Sequence, residues 1–159
     1  MPDPPARMKS NPNVNPLFNS KINPKANASI NPVFNPWINP RQNGRISPKS
    51  NHSLDPVVTT SLNPTVNSLL DPKQTSKFSG LRLWTPDSEL IGYIVNTHTK
   101  AVRLLFDKNL EWTAFAVDNN REGYNLFDLG GDWNGYLLKN AAGGLNEFNL
   151  EGDWVAFIM

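Results

Sequence analysis

The chain has 159 residues, with 14 prolines and no cysteine, and its 15 basic residues almost balance its 14 acidic ones. The lack of cysteine excludes disulfides, thiolate metal sites and cysteine nucleophiles. The charges are unevenly placed, because residues 1–80 carry nine Lys or Arg against three Asp or Glu, whereas residues 81–159 carry six against eleven. This asymmetry predicts two modules of opposite charge. The basic residues are scattered, so nucleic acid is not a favoured partner, and no segment is apolar enough to predict a membrane span.

An octapeptide repeat occupies the first half of the chain. Asn-Pro, Ser-Pro or Asp-Pro begins at residues 15, 23, 31, 39, 47, 55, 63 and 71, and an aliphatic residue precedes each pair. A second column of Asn lies midway, at residues 19, 27, 35, 43, 51 and 67, with Thr59 as the exception. Proline at this frequency excludes a helix, and Asn favours turns because its side chain accepts a hydrogen bond from the backbone two residues on.

Two architectures fit this half. The first is a β-roll-like solenoid of about 16 residues per coil, in which each octad contributes one turn and one short strand. Its buried ladder would consist of Ile22, Ile30, Ile38, Ile46, Leu54, Leu62 and Leu70. The second is an extended tape that orders only on a partner. We favour the solenoid, because a tape has no physical reason to keep its aliphatic residue in strict phase with the turns. Phe34 and Trp37 lie outside the ladder columns and are candidates for an exposed contact surface.

A second repeat, of about 21 residues, occupies the rest of the chain. Its markers are the aromatic columns Phe106, Phe127 and Phe148, and Trp112, Trp133 and Trp154, with a looser copy starting near Trp84. Each copy reads as strand, Gly- or Asp-containing turn, and strand, which predicts four tandem β-hairpins. Apolar side chains occupy successive positions along these strands, and successive side chains point to opposite faces of the sheet. Both faces should therefore be covered. The hairpins could close as a barrel or stack as an open array.

These interpretations give an all-β protein with three segments. Residues 1–10 form an N-terminal arm, residues 11–76 form the octapeptide solenoid, and residues 77–159 form the four-hairpin module. The aromatic hairpins resemble the choline- or glucan-binding repeats of bacterial surface proteins in architecture. The paired aromatic residues of the first strand in those repeats are replaced here by residues 104–106, 124–127 and 145–148, so the resemblance does not extend to the ligand cage.

The residues capable of chemistry favour a structural interpretation. The acids recur once per hairpin, at Glu89, Glu111, Asp132 and Asp153 and again at Asp107 and Asp128, which is typical of turn residues rather than of a catalytic pair. The two histidines, His52 and His98, lie near no repeated acid in sequence. We therefore expect no enzyme activity, no metal site and no cofactor.

The sequence predicts a structural or interaction protein that associates with itself as a homo-oligomer or filament. The last segment, Trp154 to Met159, is uncharged and would be a poor exposed strand edge, and the opposite charges of the two halves suit head-to-tail contacts. The alternative is a binding module for another protein or for surface carbohydrate. The candidate contact aromatics for that role are Phe34, Trp37, Tyr93, Phe115, Tyr136 and Phe157. A sugar-binding ring must face solvent, so the burial of these rings discriminates between the two interpretations.

Overall fold

The structure, a computed structural model, describes residues 10–67 and 82–159. Most of the predicted N-terminal arm, Leu70 of the predicted ladder and the predicted boundary between residues 76 and 77 lie outside these ranges. Within them, no helix is long and apolar enough to cross a lipid bilayer.

The C-terminal segment is a closed antiparallel barrel of eight strands in sequence order. The strands are β1 (Arg82–Trp84), β2 (Leu90–Asn96), β3 (Val102–Asp107), β4 (Trp112–Asp118), β5 (Gly123–Asp128), β6 (Trp133–Lys139), β7 (Leu145–Asn149) and β8 (Trp154–Ile158). The prediction of four tandem hairpins is confirmed, and closure as a barrel decides between the two arrangements that the sequence left open. Strand β8 pairs with β7 and also with β1, where Leu83 lies opposite Ile158. The uncharged last segment is therefore paired on both sides and is not an exposed strand edge.

A β-bulge recurs in each hairpin and explains the tryptophan column. The pairing register shifts next to Phe106, Phe127 and Phe148, where each ring residue lies opposite Trp112, Trp133 or Trp154. Each of these indole N–H groups donates to the carbonyl oxygen two residues later, at 2.8–2.9 Å. Close approach of the strands also restricts the residue two positions after Trp133. A Cβ atom on Gly135 would lie 2.6 Å from the Phe148 carbonyl oxygen, so this position favours glycine. The bulges bend the strands, which helps to close a small barrel.

The octapeptide segment is built from tight turns. Short 3-10 turns span Ala28–Ile30, Pro36–Ile38, Gly44–Ile46, His52–Leu54 and Thr60–Leu62. Residues 10–67 contain no strand, so the predicted β-roll-like coil of turn plus strand was wrong. The physical reason is that both Asn columns initiate turns. This leaves no room for an extended pair within eight residues.

Asparagine side chains connect each octad to the preceding one. The Asn35 carbonyl Oδ1 accepts from the Trp37 backbone N–H at 3.1 Å, while its Nδ2 donates to the Ser29 carbonyl oxygen at 2.8 Å. Asn39 repeats this pattern, accepting from the Arg41 N–H and donating to the Pro32 carbonyl oxygen, both at 3.0 Å. One amide therefore closes its own turn and satisfies a carbonyl six or seven residues back.

The octapeptide segment packs against the outside of the barrel. Ile38, Ile46 and Leu54 share one apolar cluster with outward-facing residues of β2 to β5, and Val14 packs with Tyr136 on the far side. A separate cluster fills the barrel interior. Both faces of the sheet are thus covered, as the sequence predicts. The outer cover is the repeat itself.

Candidate interaction surface

Four of the predicted ladder residues pack against the barrel, since Ile38, Ile46 and Leu54 lie in the shared apolar cluster and Leu62 packs against it. Ile22, Ile30, Ile38, Ile46 and Leu54 are buried, and Leu62 is partly buried. The sequence analysis missed a second buried column, which consists of Pro16, Pro24, Pro32, Pro40, Pro48, Pro56 and Pro64. Their fixed spacing of eight is visible in the sequence, where it indicates turns but not burial. Each of the five octads between residues 15 and 54 therefore buries a proline as well as an aliphatic side chain.

The predicted contact aromatics divide into two groups. Phe34 and Trp37 are 70% and 72% exposed. Phe115, Tyr136 and Phe157 are buried and present no ring to solvent, and Tyr93 is half-buried. Phe115 stacks on Phe127 with ring centroids 5.5 Å apart, and Tyr136 stacks on Phe148 at 5.4 Å. These barrel rings hold strands together and are unavailable to a ligand.

Tyr136 also anchors the octapeptide segment. Asn15 Nδ2 donates to its hydroxyl oxygen at 3.4 Å. Burial raises the pKa of Tyr136 above its usual value, and the hydrogen bond from Asn15 opposes that effect. Further along, Asn125 Nδ2 donates to the Ile22 carbonyl oxygen at 2.9 Å. Polar contacts thus fix the position of the repeat on the barrel in addition to the apolar cluster.

The outer side of the repeat exposes an edge that we call the post-proline edge, defined as the two residues that follow each of the Asn-Pro, Ser-Pro and Asp-Pro pairs that begin at residue 15 and recur every eight residues. Within residues 17–66 this edge carries seven large apolar side chains that are exposed or half-exposed, which are Leu17, Phe18, Val33, Phe34, Val57, Val58 and Val66. It also carries Lys25, Arg41 and Lys49, all exposed, and no acidic residue. Exposed apolar side chains interspersed with basic ones are typical of a protein contact surface.

One end of the barrel has the opposite character. We call the four loops 85–89, 107–111, 128–132 and 149–153 the acidic turns. They carry eight carboxylates, Asp87, Glu89, Asp107, Glu111, Asp128, Asp132, Glu151 and Asp153, against Lys108. Asp107 Oδ1 accepts from the Glu111 backbone N–H at 3.0 Å, and Asp128 Oδ1 accepts from the Asp132 N–H at the same distance. The repeated acids therefore act as turn residues, as the sequence predicts, and give this end a negative surface.

An open groove of about 920 Å³ lies beside Trp37 on the repeat. Gln42, Arg45, Ser50 and His52 line it. The second histidine, His98, lies in the turn after β2, where its Nε2 is 2.7 Å from Asn51 Nδ2. In the described ranges no three His, Cys, Asp or Glu residues gather as they would around a metal ion.

No protein-family model, no curated protein and no solved structure matches the chain. Its function must therefore be argued from its own surfaces.

Proposed function

We propose that the protein is a non-enzymatic interaction module that associates with copies of itself, head to tail, through the post-proline edge of one copy and the acidic turns of another. The single observation that carries this proposal is the post-proline edge. It exposes large apolar side chains and basic groups in one row, while the opposite side of the repeat is buried on the barrel.

Charge supplies the direction of the contact. Between residues 10 and 67 the repeat has five basic residues, Lys21, Lys25, Arg41, Arg45 and Lys49, and one acid, Asp55. The acidic turns carry the complementary charge. A contact between two different surfaces of one molecule is heterologous, and it extends to rings or filaments. Closure of β8 on β1 removes strand addition at the last segment as the mechanism, so assembly would use side-chain surfaces.

Sedimentation velocity of two charge-reversed variants tests the proposal. The edge variant replaces Lys25, Arg41 and Lys49 with Glu, and the turn variant replaces Glu89, Glu111 and Glu151 with Lys. Each variant alone presents surfaces of like charge and should sediment as a monomer at concentrations where the wild type assembles. An equimolar mixture should assemble again, because each altered surface then meets an opposite charge.

Salt and a neutral control complete the test. Raising the salt from 0.05 to about 0.5 M should weaken wild-type assembly, because exposed charges are screened over distances of about 10 Å at 0.1 M. Ala26→Ser on the same edge should change nothing. A wild type that stays monomeric at high concentration and low salt would refute self-association.

A second candidate function is binding of surface carbohydrate, and the groove beside Trp37 favours it. An exposed indole next to amide, hydroxyl and guanidinium groups offers both a stacking face and hydrogen bonds. Trp37→Ala should abolish retention on immobilised glycans if this function is correct. The same substitution lies off the post-proline edge and should leave charge-dependent assembly in place.

A further inference from the structure

One position of the hairpin repeat carries a carboxylate where the other three copies carry leucine. In each hairpin the residue just before the register shift occupies this position, and the four residues are Leu83, Leu105, Leu126 and Glu147. Leu105 and Leu126 belong to the apolar cluster inside the barrel, and Leu83 packs against it. Glu147 is therefore the fourth member of an inner ring that is otherwise apolar.

The surroundings of Glu147 do not compensate its charge. Its neighbours in register are Leu137 on β6 and Ala156 on β8. Within the described ranges its carboxylate has no hydrogen bond and no ion pair, since the salt bridge found there joins Lys139 to Glu122. Burial alone raises the pKa of Glu147 to about 7. A leucine would pack here at lower cost, so the carboxylate needs another explanation.

The carboxylate lines a cavity at the barrel mouth. This cavity has a volume of about 330 Å³, and Leu83, Leu105, Leu126 and Glu147 contribute to its wall, with Thr113 and Asn134 nearer the rim. Its size suits a small organic molecule. Glu147 retains an intermediate exposed fraction because it faces this space.

The acidic turns surround the same mouth, because each begins two residues after a member of the inner ring. Their eight carboxylates produce a negative potential that concentrates cations at the entrance. A hard metal ion is not the expected occupant, since it requires several oxygen ligands and Glu147 is the one carboxylate lining the cavity. Three leucines beside one carboxylate instead complement a charged group on an aliphatic chain.

We propose that the barrel mouth is a binding site for a small organic cation, a primary ammonium on a short aliphatic chain, with the charge against Glu147 and the chain against the leucine ring. Bound in this way, the ammonium donates to the carboxylate, and the chain replaces water next to Leu105 and Leu126. The cavity thereby gains a charge partner that residues 10–67 and 82–159 do not provide.

Binding depends on the protonation of Glu147, because a protonated carboxyl group offers no charge to the ammonium. The inward residues packed near it, from β1, β3, β5, β6 and β8, are uncharged. Arg103 lies two residues before Leu105, toward the other end of the barrel, with its guanidinium 4.8 Å from the Tyr124 ring centroid. At the mouth, Asp107 and Asp128 lie two residues after Leu105 and Leu126, and their Oδ1 atoms accept from turn backbone N–H groups. At the rim, the Asp153 backbone N–H donates to Asn149 Oδ1 at 2.8 Å. Lowering the pH from 8 to 6 should weaken binding about tenfold.

A titration of the full chain with n-butylammonium chloride, followed by amide chemical shifts at pH 8, tests this site. We expect saturable shifts at the barrel mouth with a dissociation constant on the order of 1 mM. n-Butanol serves as the neutral matched probe and should bind at least about tenfold more weakly. Equal binding of the alcohol would show an apolar cavity only and would overturn the proposal.

Two variants keep the test independent of folding. Glu147→Gln preserves shape and removes the charge, and Glu147→Leu restores the repeat pattern. Both should remain folded and raise the dissociation constant for butylammonium at least about tenfold. Absence of saturation in the wild type up to about 20 mM, or unchanged affinity in the glutamine variant, refutes the site. Neither outcome bears on assembly through the post-proline edge.

Discussion

The hairpin turns show how a single backbone angle constrains residue choice. The fourth residue of each acidic turn adopts a positive φ, which is +92° at Gly131 and +88° at Gly152. The equivalent residues of the first two hairpins are Ser88 and Leu110, with φ of +67° and +66°. Side chains are disfavoured in this region because Cβ crowds the following carbonyl group. The first two turns are therefore strained where the last two are not.

Ser88→Gly should stabilise the protein. Relief of the left-handed strain is worth about 1–2 kcal/mol and the greater flexibility of glycine in the unfolded chain offsets part of it, so we expect a net gain of about 0.5–1 kcal/mol. Urea denaturation measures this difference. Gly152→Ser is the reciprocal control and should destabilise by a similar amount. If both substitutions raise the free energy of unfolding, or both lower it, strain at this position is not the cause.

Glu147 should make stability fall as the pH rises. Its pKa is raised from the ordinary 4.5 to about 7 in the folded protein. Between these values the folded state holds a proton that the unfolded state releases, so the stability that Glu147 contributes is fully present below about pH 4.5 and is lost progressively up to about pH 7. The full loss is about 3 kcal/mol, at about 1.4 kcal/mol per pH unit.

The difference in unfolding free energy between wild type and Glu147→Gln isolates this contribution, because other carboxylates titrate in both proteins. The wild type should lose stability relative to the variant between pH 4.5 and 7 and differ by a constant amount above that range. A difference that does not change with pH would show that the carboxyl group is solvated.

Among the elements, the octapeptide repeat depends on a buried side chain and a linking amide in each octad. Ile38 is buried in the cluster shared with the barrel, and Asn39 beside it bonds back to the preceding octad. Arg41, two residues further on, points to solvent. Neighbouring positions in one octad therefore differ sharply in what they tolerate.

Ile38→Asp should loosen the repeat, whereas Arg41→Asp should be tolerated. An unpaired charge in the shared cluster removes apolar contacts and adds a desolvation penalty, for a loss of about 4 kcal/mol or more, while a surface exchange stays within about 0.5 kcal/mol. Limited proteolysis followed by mass spectrometry locates the first cleavages. Equal resistance of the two variants would mean that this part of the repeat is not packed on the barrel.

At the scale of the whole molecule, the barrel and the repeat share one apolar cluster. Phe127 of β5 points outward into that cluster, and its neighbour Leu126 points into the barrel interior. The barrel could not leave its outer face uncovered without exposing Phe127 and Phe115 to water. The repeat therefore serves the barrel as its outer layer.

Phe127→Ala and Leu126→Ala should separate the two interfaces. Both remove a buried side chain at a cost of about 2–5 kcal/mol. Only the outward substitution should speed amide hydrogen exchange in residues 38–54 more than in the barrel strands. Exchange that rises uniformly in both variants would indicate that repeat and barrel open as one unit.

The sequence by itself determined the two periods and the elements that follow from them. Proline spacing excluded helix, and the Phe and Trp columns predicted four hairpins, because turn chemistry and strand alternation are local properties. The inward phase of Ile38 and Ile46 was also visible, since it depends only on the repeat. The octad conformation was misjudged, because two competing turn signals in eight residues leave no space for a strand.

Only the tertiary structure decided how the barrel closes and which side chains its closure buries. Barrel closure depends on the pairing of β1 with β8, two segments about 75 residues apart, and no local pattern encodes it. The same closure buried Phe115, Tyr136 and Phe157, which the sequence offered as contact residues, and left Phe34 and Trp37 exposed. Glu147 passed unnoticed in the sequence because a single glutamate in a strand signals nothing until its three counterparts are seen to be leucines around one cavity. Burial is a property of the assembled layers, and the order of residues along the chain does not specify it.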